Sequence, residues 1–190
     1  MAEQKHTQDP LDLEVAMSAS EAFIIKYKNK FLTGIVAIVA LVGGVLGYQN
    51  FISEPNEKKA SEALFKGEQY FNADNFELAL NGDSLGYEGF LNVANKFSGT
   101  DAGELANAYA GLCYAQLGQL DKAAATLVKA ADKANSQALS PIYLIQAGQI
   151  YEKLGKKSEA VSAYKTVKEK YYNSYQSMDI DKYIERASVK

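Results

Sequence analysis

Residues 31–48, FLTGIVAIVALVGGVLGY, are eighteen consecutive positions without a charged side chain, and this run limits the chain more than any other feature. The hydrocarbon core of a bilayer takes roughly 20 apolar residues of helix, and Phe51 and Ile52 extend the run to that length. A core helix this apolar on every side would need more surrounding protein than a chain of 190 residues supplies. A cleaved signal peptide has a shorter apolar core and small residues at its cut site, whereas Tyr48, Gln49, Asn50 and Phe51 follow here. The sequence therefore predicts a retained transmembrane helix over 31–52.

Basic residues give that helix a direction. Lys26, Lys28 and Lys30 crowd its N-terminal edge, while Glu54 and Glu57 precede Lys58 and Lys59 on the other side. The positive-inside rule then places a leader of residues 1–30 in the cytoplasm and residues 53–190 across the membrane. In a Gram-negative cell this is a single-pass inner-membrane protein with a periplasmic C-terminal domain.

Along the span, Thr33, Ala37, Ala40, Gly44 and Gly47 put small side chains on one face, and Gly43 with Gly47 forms a GxxxG. Such a stripe admits a second helix, in self-association or with a membrane partner; glycine and alanine are also simply common in spanning helices. In the leader, Leu13, Met17 and Ile24 fall on one side of a short helix, but Asp9, Asp12 and Glu14 oppose anionic lipid.

Composition narrows the chemistry. A net charge of −3 and pI near 5.3 leave no concentrated basic face for nucleic acid. With Cys113 the single cysteine and His6 the single histidine, in a polar leader read as unstructured, neither a Cys/His metal site nor a nucleophile–histidine pair can be assembled. An internal disulfide is excluded, and Cys113 inside an apolar helix reads as a buried, inert thiol. A carboxylate-pair hydrolase using Glu62, Glu68 or Asp74 would need a sugar cleft, which nothing in the sequence predicts. We expect no catalysis, no cofactor and no metal.

Beyond Pro55-Asn56 the chain reads as amphipathic helices without strand alternation, so the fold class is all-α. The spacing G-x-x-Y recurs at Gly67/Tyr70, Gly111/Tyr114 and Gly148/Tyr151, at intervals of 44 and 37 residues. The last two copies align further, as GLCYAQLGQLDKAAATLVKA and GQIYEKLGKKSEAVSAYKTV. In each, Leu-Gly (Leu117-Gly118, Leu154-Gly155) ends a helix, and Ala123 or Ala160 enters the next, with Leu127 or Tyr164 a turn on. Glycine facing alanine lets two antiparallel helices approach closely. The unit is a helical hairpin.

These residues resemble the tetratricopeptide repeat. Gly111, Tyr114, Leu117-Gly118, Ala123 and Ala130 match its pattern in one copy, and Gly148, Tyr151, Leu154-Gly155, Ala160 and Tyr164 in the next. Leu127 and Val167 depart from it, and the longer period places about three extra residues near 136–141, with Pro141 suited to a first helical turn. The first copy is degenerate, with helices expected at 57–73 and 84–97 around an Asn81-Gly82-Asp83 insertion, and Gly86 and Phe90 opening the second. The expected architecture is a transmembrane helix followed by an α-solenoid of about three hairpins (57–97, 104–135, 141–172) and a final helix at 179–188, seven helices past the membrane. Leader, lysine cluster, Gly-rich span and degenerate repeats together look like the bacterial family of ancillary translocon subunits. That resemblance implies a periplasmic domain associating with the secretion channel and periplasmic chaperones, and hence a scaffold or chaperone-like adaptor for secretion or envelope assembly. The alternative is a cytoplasm-facing adaptor recruiting soluble proteins to the membrane.

In such solenoids the first helix of each hairpin lines the concave face. Repeat phase then nominates Leu112, Gln116, Gln149, Glu152 and Lys153, with Ala115 and Ile145 on the same face, as a protein-binding groove. Leu112, Ala115 and Ile145 serve equally as helix packing. Charge is uneven: residues 54–104 hold 4 basic and 10 acidic side chains, net −6, and residues 121–190 hold 12 and 8, net +4. Lys122, Lys129, Lys133, Lys156 and Lys157 form either a basic face for an acidic partner or a solvated surface with helical ion pairs. Tyr109, Tyr114, Tyr143, Tyr151 and Tyr164 read as hairpin filling, whereas Tyr171, Tyr172 and Tyr175 either form an exposed patch or seat the last helix.

Overall fold

A computed structural model describes residues 10–189, with side chains from residue 25 onward except Asn50. His6 and Asp9 lie outside the described residues, as do the side chains of Leu13, Met17 and Ile24 and of Asp12 and Glu14. All regular structure among the described residues is helical, and the chain divides into two compact units, Met1–Phe51 and Ile52–Lys190.

The first unit contains one helix, α1 (Pro10–Tyr48), so helix already covers much of the leader. Its apolar stretch is long and apolar enough to cross a membrane, with a mean hydropathy of 2.2 over its 18-residue window and 0% of that window buried. Among the described residues, a Cβ built on Gly43, Gly44 or Gly47 meets nothing within 4 Å. Ahead of the apolar run, the Lys26 and Lys30 ammonium groups lie 5.6 and 5.5 Å from the Tyr27 ring centroid. A π turn (Gln49–Ser53) follows.

The second unit is a chain of antiparallel hairpins: α2 (Glu54–Asn72), α3 (Phe76–Asn81), α4 (Phe90–Lys96), α5 (Asp101–Gln116), α6 (Leu120–Ala134), α7 (Ser140–Lys153) and α8 (Lys157–Lys170). A 3₁₀ turn (Tyr175–Asp179) leads into α9 (Ile180–Ser188). This gives eight α-helices after α1 among the described residues, where seven were expected.

The difference has a local cause. The glycine-to-alanine spacing that joins Gly111 to Ala123 and Gly148 to Ala160 also joins Gly67 to Ala79, and all three alanines are fully buried. The second helix of the first hairpin therefore starts at Phe76, not near residue 84, and is broken after Asn81. It resumes at Phe90, which meets Gly67 as Leu127 meets Gly111 and Tyr164 meets Gly148. The break holds the seven residues by which the first interval, 44, exceeds the second, 37.

Asp83 shapes the inserted loop. Its Oδ1 accepts from the Leu85 and Tyr87 amides at 2.8 and 2.9 Å, and its Oδ2 from the Tyr70 hydroxyl. The Tyr87 hydroxyl donates to the Ala79 carbonyl at 2.9 Å. Gly82 and Gly89 take φ of +96° and +84°, with backbone packed where a side chain would stand, so the loop needs glycine at both.

All three hairpins turn alike. Gln119 N donates to Tyr114 O and Gly118 N to Ala115 O; Lys156 N donates to Tyr151 O and Gly155 N to Glu152 O; Asn75 N donates to Tyr70 O and Asp74 N to Phe71 O. This pair of bonds is the Schellman cap, whose penultimate residue is left-handed. Gly118 and Gly155 take that position with φ of +73° and +72°, and Asp74 takes it with φ of +58°. The G-x-x-Y tyrosine contributes the carbonyl that accepts the cap's longer bond.

Two apolar cores result. One runs from α2 to α5 and holds Leu80, Phe90, Val93 and Cys113; the other runs from α5 to α9 and holds Leu127, Tyr164, Val167 and Ile180. Leu105 packs against both. The last helix is fastened by Arg186, whose Nε and Nη2 donate to Glu152 at 2.9 and 2.8 Å, while Tyr164 donates its hydroxyl to the same carboxylate at 2.5 Å. Tyr171 is buried and seats α9; Tyr172 and Tyr175 are exposed.

Candidate functional site

The first halves of α2 and α5, the end of α6, and the start of α7 with the linker before it line a groove of about 460 Å³. Leu64, Leu105, Leu139 and Tyr143 supply its apolar lining, and Ser61, Ser136, Glu57, Asp101 and Glu104 its polar one. Its position follows from how α5 begins. Thr100 Oγ1 accepts from Gly103 N at 3.0 Å, and the Glu57 carboxylate reaches from α2 to accept from Asp101 N and Ala102 N at 2.9 and 3.0 Å. Three amides that a helix start leaves without partners are thereby satisfied, two of them by a neighbouring helix, which aligns the starts of α2 and α5.

The far wall is set by the linker from α6 to α7. Asn135 turns left-handed, Ser136 N donates to Ser140 Oγ at 2.9 Å, and that hydroxyl donates to Ala131 O at 2.7 Å. Tyr143 thus sits in the core against which Leu105 packs, and the exposed Leu139 lines the groove beside them.

The groove is acidic. Burial raises the Glu104 carboxyl above its ordinary value, Asp101 and Glu57 add to the rise, and Lys133 opposes it. Lys133 itself is engaged elsewhere, donating to Ser98 Oγ at 2.9 Å.

The residues nominated by repeat phase stand further along α5 and α7 than those that line the groove. Gln116, Gln149 and Lys153 are exposed; Leu112 and Ile145 are half-buried against the C-terminal core. Glu152 is 22% exposed and held by Arg186, which pulls its carboxyl below the ordinary range with help from Tyr164. The groove residues lie two turns earlier on the same face, as Leu105 does before Leu112, and that periodicity was the available signal. Among the lysines, Lys156 pairs with Asp121 at 2.7 Å, Lys157 donates to the Val189 carbonyl at 2.7 Å and Lys122 to Gln119 Oε1 at 2.9 Å.

Other candidate chemistry has structural employment. Asp74 forms the cap of the first hairpin, Glu68 accepts from the Tyr109 hydroxyl, pushed up to about 12 mainly by burial, and Glu62 is exposed. Cys113 is fully buried, and burial pushes its thiol up to about 12. Among the described residues no three His, Cys, Asp or Glu side chains gather where they could hold a metal ion.

Three hairpins with one cap geometry and one glycine-to-alanine spacing are a repeat, and a family model for the tetratricopeptide repeat-like domain matches residues 21–181. The chain belongs to this tetratricopeptide repeat-like family. No curated protein and no solved structure matches it significantly. Tetratricopeptide repeat-like domains mediate protein–protein interactions, which makes other proteins the partner class of this domain. In this chain the repeat-like domain includes a degenerate first hairpin whose inserted loop carries Leu85 88% exposed at its tip.

Proposed function

We propose that the chain is a membrane-anchored, non-catalytic scaffold or chaperone-like adaptor whose repeat domain binds proteins in the periplasm during secretion or envelope assembly. The observation that carries this reading is the open groove on a tetratricopeptide repeat-like domain, in a chain whose N-terminal helix is apolar enough to span a bilayer. Lys26, Lys28 and Lys30 support the orientation with the N-terminus in the cytoplasm. Gln116, Gln149 and Lys153 extend the binding face beyond the groove, Leu112 underlies them, and Glu152 contributes its edge while pinning α9. The stripe of Ala37, Ala40, Gly43, Gly44 and Gly47 suits a second helix in the membrane, either a partner's or another copy's.

Two measurements test the reading. Protease added to intact spheroplasts cuts a periplasmic domain; cutting only after lysis would instead support the cytoplasm-facing adaptor, towards which Lys58 and Lys59 weigh. A photo-crosslinking amino acid at Gln149 in native membranes captures translocon, chaperone or envelope-assembly proteins; crosslinks to none of these would remove the secretion role.

A further inference from the structure

The groove between α2, α5 and α7 pairs an apolar floor with a rim of one sign. Leu64, Leu105, Leu139 and Tyr143 form the floor, while Glu57, Asp101 and Glu104 are the charged residues that line it, with no cationic side chain among them. Glu57 is committed to the start of α5. Asp101 and Glu104 join no ion pair among the described residues. The surrounding segment, residues 54–104, has a net charge of −6, so the field around the groove has the same sign as its rim.

Burial of Glu104 beside Leu105 costs it hydration that Lys133, engaged with Ser98, offsets only in part, a cost that a bound cation reduces further. The volume of about 460 Å³ lies in the range of sites that take a few side chains. A leucine or phenylalanine would fill the floor, and an adjacent lysine or arginine would reach Asp101 and Glu104.

Resting on the reading of this groove as a protein-binding site, we propose that its ligand is a short polypeptide segment in which an apolar side chain is flanked by lysine or arginine. The geometry disfavours segments carrying aspartate or glutamate beside the anchor, and a free C-terminal carboxylate likewise, since the charged residues that line the groove are all acidic.

The test uses the full chain in zwitterionic lipid nanodiscs with a photo-crosslinking amino acid at Leu139, so that only groove occupancy is read. Two labelled nonapeptides of Gly and Ser carry one central Leu, flanked by two Lys in one and by two Glu in the other. The expected result is a crosslink yield at least about tenfold higher for the lysine peptide, falling severalfold when ionic strength rises from about 0.05 M to about 0.5 M. Ser61→Arg, which fills the exposed groove edge with positive charge, and Glu104→Lys each remove that preference. Glu169→Lys, the same charge change on exposed α8, leaves it intact.

Equal yields from both peptides, abolished by Ser61→Arg, would overturn the cationic specificity while leaving a protein-binding groove. Yields insensitive to Ser61→Arg and Glu104→Lys would overturn the groove as the site. Absence of crosslinks from either peptide would overturn this proposal, and the wider scaffold reading would then stand or fall on the Gln149 crosslinks in native membranes.

Discussion

At the scale of single residues, the hairpins depend on glycines that remove a Cβ at closest approach. A Cβ on Gly148 would stand 2.3 Å from Tyr164 Cε1, and one on Gly111 would stand 2.8 Å from Leu127 Cγ. The two collisions differ in how they can relax. Both partners are fully buried, but Tyr164 is also tied through its hydroxyl to Glu152 and meets the added Cβ at the shorter distance, so its ring has less room to give than Leu127. Gly148→Ala is expected to cost about 2–3 kcal/mol and Gly111→Ala about 1 kcal/mol, read from denaturant midpoints at constant m-value. Equal costs would show that Tyr164 is not pinned. Glu104 makes the opposite kind of contribution. Its carboxyl is raised from 4.5, so it favours the fold while protonated and loses that contribution as pH rises above 4.5. Glu104→Gln is therefore expected to raise the melting temperature at pH 7 and to leave it nearly unchanged at pH 4. The same substitution weakens the lysine peptide, which would mark Glu104 as a residue kept at some expense in stability.

At the scale of elements, α9 is a short helix whose place depends on a few side chains. Ile180 and Ala187 bury its apolar side, and Arg186 crosses to Glu152 on α7. Glu152 is lowered from 4.5, first by Arg186, so its stabilising contribution is complete above 4.5 and is lost as pH falls through the folded-state value. Amides of α9 are expected to lose protection on acidification below 4.5 before those of α5 and α6, measured by hydrogen exchange corrected for intrinsic rates. In Glu152→Gln that differential loss disappears and α9 is less protected at neutral pH. With Arg186 more than half exposed, the stability lost is expected below about 1 kcal/mol. Protection of α9 that does not vary with pH in the native sequence would remove the clamp from the account.

At the scale of the whole molecule, the repeat unit is two cores meeting at one helix. α5 contributes Ala106, Ala110 and Cys113 to one core and Ala108 to the other, and Leu105 touches both. A solenoid gains stability from each hairpin and from each interface between neighbours, so weakening one interface uncouples what it joins. Leu105→Ala is expected to cost about 2 kcal/mol and to separate the unfolding of α2–α4 from that of α6–α9, seen as two classes of exchange free energy in place of one. A uniform decrease across all helices would show that coupling runs through the helix backbone and not through Leu105.

The sequence by itself determined the helical class, the apolar N-terminal run and the hairpin periodicity, because each rests on local chemistry: uncharged length, 3.6-residue spacing and glycine at a left-handed cap. It also held the signals it concealed. Asp74 does in the first hairpin what glycine does in the others, so no Leu-Gly marks that turn, and the expected helix end at residue 73 agrees with the structure while the expected start of the next helix near residue 84 does not: it starts at Phe76. Tertiary structure alone decided the groove. Its floor and rim come from helices and a linker separated by up to 86 residues, from Glu57 to Tyr143, and nothing in the sequence near Glu57 indicates that its carboxylate caps α5. Periodicity fixes which face of a helix turns inward; where along that face a cavity opens depends on how neighbouring helices are offset, and here capping contacts distant in sequence set that offset.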